Sequence, residues 1–297
     1  MELATLRLGS PGKGPHVLIS GGVHGDEFEP MAAIRRLATL LADQEIRGEI
    51  TLIPVVNESA FELGQRVGSD GLDLARTCPG RPDGSPTEQA AHALSGWIRR
   101  ADAYIDLHTG GARLSVQPMT GYMLHASPEV LDRQREMAKV FGLPIIWGTD
   151  PSLPGRSLSV ARDANVPAIY AEYLGGGGCL PDGVQAYVQG CLNVLASLGL
   201  VDSSLADAPS SDLRVFEDSR EGSGHMQVQH PSPCDGLFEA AVSLGQAVRK
   251  GEPLGTVSDL LGREVVTVPC DHSGLVLVLR CFARVSAGES LGVVLET

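Results

Sequence analysis

From residue 16 to residue 198, short apolar runs alternate with segments of helical period. HVLISG at 16–21 is apolar and ends in glycine, the pattern of a buried strand. FEPMAAIRRLATLLAD at 28–43 repeats its apolar residues at helical spacing. The alternation recurs downstream. Strand-like runs lie at 50–56, 103–107 and 167–173, and helix-like segments at 87–101, 129–141 and 182–198. A long Gly- and Pro-rich stretch from Asn57 to about Ser85 reads as a loop. Strands alternating with helices imply an α/β sheet covered on both faces. Ligands in such folds gather at the carboxyl ends of the strands.

Composition narrows the function classes. With 297 residues the chain can fold as one large domain or two unequal ones. A formal charge of −13 disfavours non-specific attraction to nucleic acid or anionic lipid. An aromatic content of 4% leaves little surface for stacking bases. No nucleic-acid or membrane partner is expected. The start, MELATLRLGSPGKG, shows no basic segment followed by an apolar run, so no signal peptide and a cytoplasmic location are expected. The six cysteines form no CxxC pair and read as reduced thiols.

The pattern changes after GLVDSSLADAPSSD at 199–212, which reads as a linker. The expected division is a catalytic domain over 1–205 and a β-rich domain over 206–297. The second region contains an internal repeat. PCDGLFEAAVSLGQAVRKGEPLG at 233–255 aligns with PCDHSGLVLVLRCFARVSAGESLG at 269–292, from PCD to GE-x-LG. Two similar β units related by pseudo-symmetry are expected. The pattern resembles the barrel-sandwich domain that carries biotin or lipoate. However, SDLLGREVV stands where MKM would lie, and Lys250 is misplaced for attachment, so a carrier role is not expected.

Three segments at expected strand ends carry chemistry: GGVHGDE at 21–27, IDLHTG at 105–110 and AIYAEY at 168–173. The first two supply His24, Glu27 and His108, a set that fits a catalytic zinc with one position left for water. The third offers Glu172 as a base for that water. A structural reading stands beside this one: Glu27 caps the first helical turn and His24 makes an ordinary loop hydrogen bond. Asp106 alternates with His108 along one strand, so both can face the same side. It either orients a ligand or is a buried hydrogen-bonding acid.

GGVHGDE, the arginine-bearing loop ending DGLDLARTCPG, IDLHTG and AEY occur in one order. That order resembles the succinylglutamate desuccinylase/aspartoacylase family of zinc carboxypeptidase-like amidohydrolases, over most of residues 15–195. The tail resembles the β domain of the family's N-acyl amino acid deacylase branch, which includes enzymes acting on N-acetyl-diaminobutyrate. The resemblance implies a three-layer α/β/α domain with a mixed sheet, followed by a β barrel-sandwich-like domain. It implies one Zn2+ per chain held by His24, Glu27 and His108, with Glu172 as general base. Arg66 would polarise the acyl carbonyl and stabilise its oxyanion, and Arg76 would bind a substrate carboxylate. In PGRSLSVAR at 154–162, Arg156 is the pocket candidate by family position, while Arg162 reads equally as part of a structural ion pair. One position departs from the pattern: DLAR stands where the family usually has DLNR. Ala75 therefore offers no side-chain donor to a carboxylate.

The implied activity is hydrolysis of the amide bond of a small N-acyl amino acid or related compound by metal-activated water. A homo-oligomer is expected. The alternatives are a carboxypeptidase-like peptidase, whose cleft must accept a longer chain, and a non-catalytic binding or scaffold protein on the same fold.

Overall fold

The structure is a computed structural model that describes residues 1–208, 212–226 and 229–296. Residues 209–211 of the expected linker, and 227, 228 and 297 of the expected second domain, lie outside the described residues. The chain divides into two units. The larger comprises Met1–Thr109, Pro118–Glu172 and Gly177–Ser223, and the smaller comprises Gly110–Gln117, Tyr173–Gly176 and Gly224–Thr297.

In chain order the first eight strands are β1 (Leu6–Gly9), β2 (His16–Ser20), β3 (Glu49–Ile53), β4 (Ala103–His108), β5 (Leu114–Met123), β6 (Ile145–Thr149), β7 (Ala168–Gly175) and β8 (Arg214–Glu217). They lie side by side as β1-β3-β2-β4-β7-β5-β6-β8. β3, β2, β4 and β7 are parallel, as are β5, β6 and β8, whereas β1 is antiparallel to β3, so the sheet is mixed. Val17, Leu18 and Ile19 of β2 are all fully buried, as a central strand covered on both faces requires.

The helices are α1 (Phe28–Leu41), α2 (Glu58–Leu63), α3 (Pro86–Ile98), α4 (Pro128–Phe141), α5 (Ser157–Asp163) and α6 (Pro181–Ser197). Leu18, Ile53 and Tyr104 of the sheet pack with Ala90, Leu94 and Ile98 of α3 and with Leu158 and Ala161 of α5. α1 packs on β2, β3 and β4 and against α6, which also meets α4. Each fully buried Leu or Ile in these layers is worth about 1.5–3 kcal/mol. Local signals set the helix starts. Glu88 accepts from the Ser85 backbone N–H at 2.9 Å, with Pro86 opening α3. Ser127 caps α4 by accepting from Val130 N–H, and Gly142 ends that helix in the left-handed region.

The smaller unit contains β9 (Gly236–Ala240), β10 (Ala247–Val248), β11 (Pro253–Ser258), β12 (Val265–Pro269), β13 (Gly274–Arg280), β14 (Arg284–Val285) and β15 (Gly292–Glu296). The sequence repeat appears in the register. β9 pairs with β11 as β13 pairs with β15. Each short middle strand crosses to the other copy: Ala247 and Val248 face Leu275 and Gly274, while Arg284 and Val285 face Leu237 and Gly236. The two turns also match. Glu252 accepts from Arg249 N–H and Glu289 from Ser286 N–H, both at 2.9 Å, with Gly251 and Gly288 both at φ 86°. The copies enclose one apolar core that includes Phe238, Leu254, Val276 and Leu291.

The segment around the expected boundary at residues 205 and 206 groups with the larger unit. β8 pairs with β6, which places residues 212–223 with the larger unit. The start of the expected linker is packed: Leu200 and Val201 are buried, and Leu200 O accepts from Arg47 N–H. No helix among the described residues is long and apolar enough to cross a membrane.

Candidate metal centre and active site

GGVHGDE forms the turn between β2 and α1. It is pinned to the segment after β3 by Val56 N–H to Gly21 O, Asn57 N–H to Gly22 O and Gly25 N–H to Gln65 O. Gly25 is required by close approach, since a Cβ there would lie 2.0 Å from the carbonyl group of Ala60. Glu27 does occupy the N-cap position of α1, yet its side chain makes no capping hydrogen bond. It turns inward, with Oε1 2.7 Å from His24 Nδ1 and Oε2 3.0 Å from His108 Nδ1. Thr109 N–H also donates to Oε2 at 3.2 Å. Ligand atoms of His24, Glu27 and His108 all lie within 4.8 Å of one another, so these three can hold a metal ion.

Burial alone would raise the Glu27 carboxyl, but its electrostatic and hydrogen-bonding interactions with His24 and His108 outweigh it and hold the group well below the usual carboxylate range. His108 shows the converse. Burial would lower it, but Asp106 and Glu27 raise it well above its ordinary value. Asp106 is the buried acid expected on β4. Its Oδ2 lies 3.2 Å from His108 Nε2, and it accepts from the Ser20 and Ser157 hydroxyls. The Ser20 hydroxyl in turn meets the Tyr104 hydroxyl at 2.7 Å.

Glu172 stands beside His108 in the β4–β7 register. Its Oε2 is buried without a hydrogen-bond partner among the described residues. Burial pushes its carboxyl up to about 7, against the lowering influence of His108.

Arg66 follows α2, a short helix inside the stretch read as loop, capped by Asn57 and ended by Gly64 in the left-handed region. Its Nη1 lies 3.9 Å from Glu27 Oε1, and its Nε and Nη2 donate to Asp73 Oδ2 at 3.1 and 3.0 Å. Asp73 also faces His24 Nε2 at 3.1 Å. Arg76 lies on the 3-10 turn Leu74–Arg76, is exposed, and donates to Ala75 O at 2.7 Å. Gly155 places the next segment close by: its carbonyl accepts from Cys78 N–H, and a Cβ on it would meet Arg76 O at 2.7 Å. Arg156 is thereby brought within electrostatic reach of Arg76. Burial, and then that neighbouring charge, push Arg156 down to about 10. Asp150 and Asp73 act on Arg156 in the opposite direction. Arg162 pairs with the exposed Asp163 carboxylate at 2.7 Å.

Residues 13–198 match the model of the succinylglutamate desuccinylase/aspartoacylase catalytic domain. The chain belongs to the succinylglutamate desuccinylase/aspartoacylase family. It is 30% identical to the N-alpha-acetyl-L-2,4-diaminobutyric acid deacetylase of Halomonas elongata over 292 residues, covering 96% of this chain and 83% of that one. The fold is similar to that of the Rhodobacter sphaeroides succinylglutamate desuccinylase/aspartoacylase (TM-score 0.87, 28% identity), with 98% of this chain and 88% of that one covered. It is equally similar to the product-bound ectoine utilization protein EutE (DoeB) of Ruegeria pomeroyi (TM-score 0.87, 25% identity, 99% and 88% covered). Like these family members, the protein is a hydrolase of amide bonds, which sets aside the non-catalytic reading.

The family resemblance in the sequence did not single out Asp73 or Ser157. Asp73 was visible as the acid of DGLDLAR, adjacent in sequence to the arginine turn. Ser157 had no such signal, because its partner Asp106 is 51 residues away.

Proposed function

We propose that the protein is a zinc-dependent deacylase of small N-acyl amino acids. The observation that carries this reading is the convergence of His24, Glu27 and His108 beside Glu172, whose Oε2 has no hydrogen-bond partner among the described residues. Two imidazoles and one carboxylate are a donor set suited to catalytic zinc. A bound zinc supplies polarisation of the acyl carbonyl and acidification of a water.

The chain's own residues do the rest. Glu172 accepts the proton of the attacking water and returns it to the leaving nitrogen. Its raised affinity for protons suits a group that must both take and give one near neutral pH. Arg66 offers its guanidinium to the negative charge that develops on the acyl oxygen. Arg76 and Arg156 receive a carboxylate of the substrate. With Ala75 contributing no amide, that carboxylate is left to the arginines and the backbone.

The similarity to the Halomonas deacetylase makes N-acetylated 2,4-diaminobutyrate the first substrate to offer. The test is acid release from that compound, from other acetyl-, succinyl- and formyl-amino acids, and from longer peptides. Hydrolysis of a small acylated amino acid, abolished by a chelator and restored by zinc, is expected. Turnover that survives complete metal removal, or turnover of peptides alone, would contradict the reading.

A further inference from the structure

Each histidine of the candidate metal set is held at both nitrogens. His24 presents Nδ1 to Glu27 at 2.7 Å and Nε2 to Asp73 Oδ1 at 3.1 Å. His108 presents Nδ1 to Glu27 at 3.0 Å and Nε2 to Asp106 Oδ2 at 3.2 Å. An imidazole whose Nε2–H donates to a carboxylate keeps its Nδ1 lone pair for a metal. The two outer carboxylates are nonetheless different in kind. Asp106 is anchored by buried hydroxyls of Ser20 and Ser157. Asp73 is shared among segments that the proposed chemistry uses separately.

Oδ1 of Asp73 accepts from Ala75 N–H at 2.9 Å as well as facing His24. Oδ2 accepts both Arg66 Nε and Nη2. With His24 protonated at Nε2 all four partners are donors, and an ionised carboxylate, with acceptors only, can satisfy them together. The paired contact fixes the plane of the Arg66 guanidinium. Its remaining nitrogen, Nη1, then lies 3.5 Å from His24 Nδ1 and 3.9 Å from Glu27 Oε1, aimed where the inner ligand atoms converge. Capping by Asp73 also starts the 3-10 turn that carries Arg76, and Thr77 Oγ1 closes that turn on Asp73 O at 2.8 Å.

We infer that Asp73 is a positioning residue that couples the metal ligand His24 to the oxyanion arginine Arg66, holding the imidazole with Nδ1 inward and the guanidinium beside it. The inference rests on the zinc deacylase reading. It says that metal affinity and transition-state stabilisation share one side chain that touches neither metal nor substrate.

The test measures zinc affinity by competition with a chromogenic chelator, and kcat and KM at saturating zinc, for wild type, D73A, R66M and the double variant. D73A is expected to bind zinc about 10–100-fold more weakly, the usual effect of removing a group that orients a ligand. R66M is expected to keep wild-type zinc affinity or exceed it, since it removes a cation from the site. With zinc saturating, D73A is expected to lose about a hundredfold in kcat from the misplaced guanidinium. The double variant should be no slower than R66M alone, because Asp73 acts on the reaction through Arg66. D73N, close in volume, serves if D73A does not fold. An amide oxygen cannot serve both sides, so it should show the same two losses.

Wild type that binds zinc and hydrolyses substrate, with Asp73 variants of unchanged zinc affinity, overturns this inference alone. Additive kcat losses in the double variant overturn it as well. Wild type that binds no zinc overturns the zinc reading and this inference with it.

Discussion

Glu172 concentrates the account at the scale of single residues. Its carboxyl is buried and raised to about 7, and its Oε2 has no hydrogen-bond partner among the described residues. If it moves the proton, Glu172→Ala should lower kcat by about 10²–10⁴ and leave zinc content unchanged. A variant with kcat near wild type would remove Glu172 from that role. The sign of the pH dependence also follows. The base works ionised, and Arg66 is one of the charges that lowers its pKa. Arg66→Met removes that charge, so Glu172 holds its proton to higher pH. The acid limb of kcat/KM should therefore shift upward in pH, and an unshifted or downward limb would contradict the assignment. The segments containing His24, Glu27, His108 and Glu172 were legible in the sequence because each ends or follows an apolar run. The contacts behind them were not: Asp73 meets His24 across 49 residues and Asp106 meets Ser157 across 51, separations that no local pattern encodes.

At the scale of elements, the site depends on how closely the β2–α1 turn lies on the residues around α2. A Cβ at Gly25 would sit 2.0 Å from the Ala60 carbonyl, so Gly25→Ala must displace one backbone or the other. A destabilisation of about 1–3 kcal/mol is expected, measured by denaturant unfolding, together with weakened zinc binding because His24 and Glu27 flank the glycine. Stability and metal affinity both at wild-type level would show that the turn does not require this approach. The parallel strands β2, β3, β4 and β7 were readable as apolar runs, since burial on both faces removes polar interruptions. β5 and β6 were not: SVQPMT at 115–120 mixes polar residues and a proline into a strand. α2 was hidden because six residues are too few to display a helical period, and its start is fixed by one capping asparagine.

For the whole molecule, the internal repeat proved to be a statement about pairing. Each copy lends its middle strand to the other, so neither copy can close its core alone. Phe238→Ala, in that shared core, should cost about 3–5 kcal/mol in equilibrium unfolding of the full chain, and a loss under about 1 kcal/mol would contradict a single interlocked core. The repeat was legible in the sequence, whereas the pairing of β8 with β6 after the polar segment was not, because it joins strands distant in sequence. We also expect the homo-oligomer anticipated from the sequence, and sedimentation at the mass of one chain would exclude it. The most direct test of the account is the metal content of the native protein, determined by elemental analysis on wild type and on a His24→Ala/His108→Ala variant. About one zinc per wild-type chain, lost in the variant, is the predicted result. Wild type without zinc after reconstitution, or a variant that retains it, would contradict the claim that these residues form a catalytic zinc site.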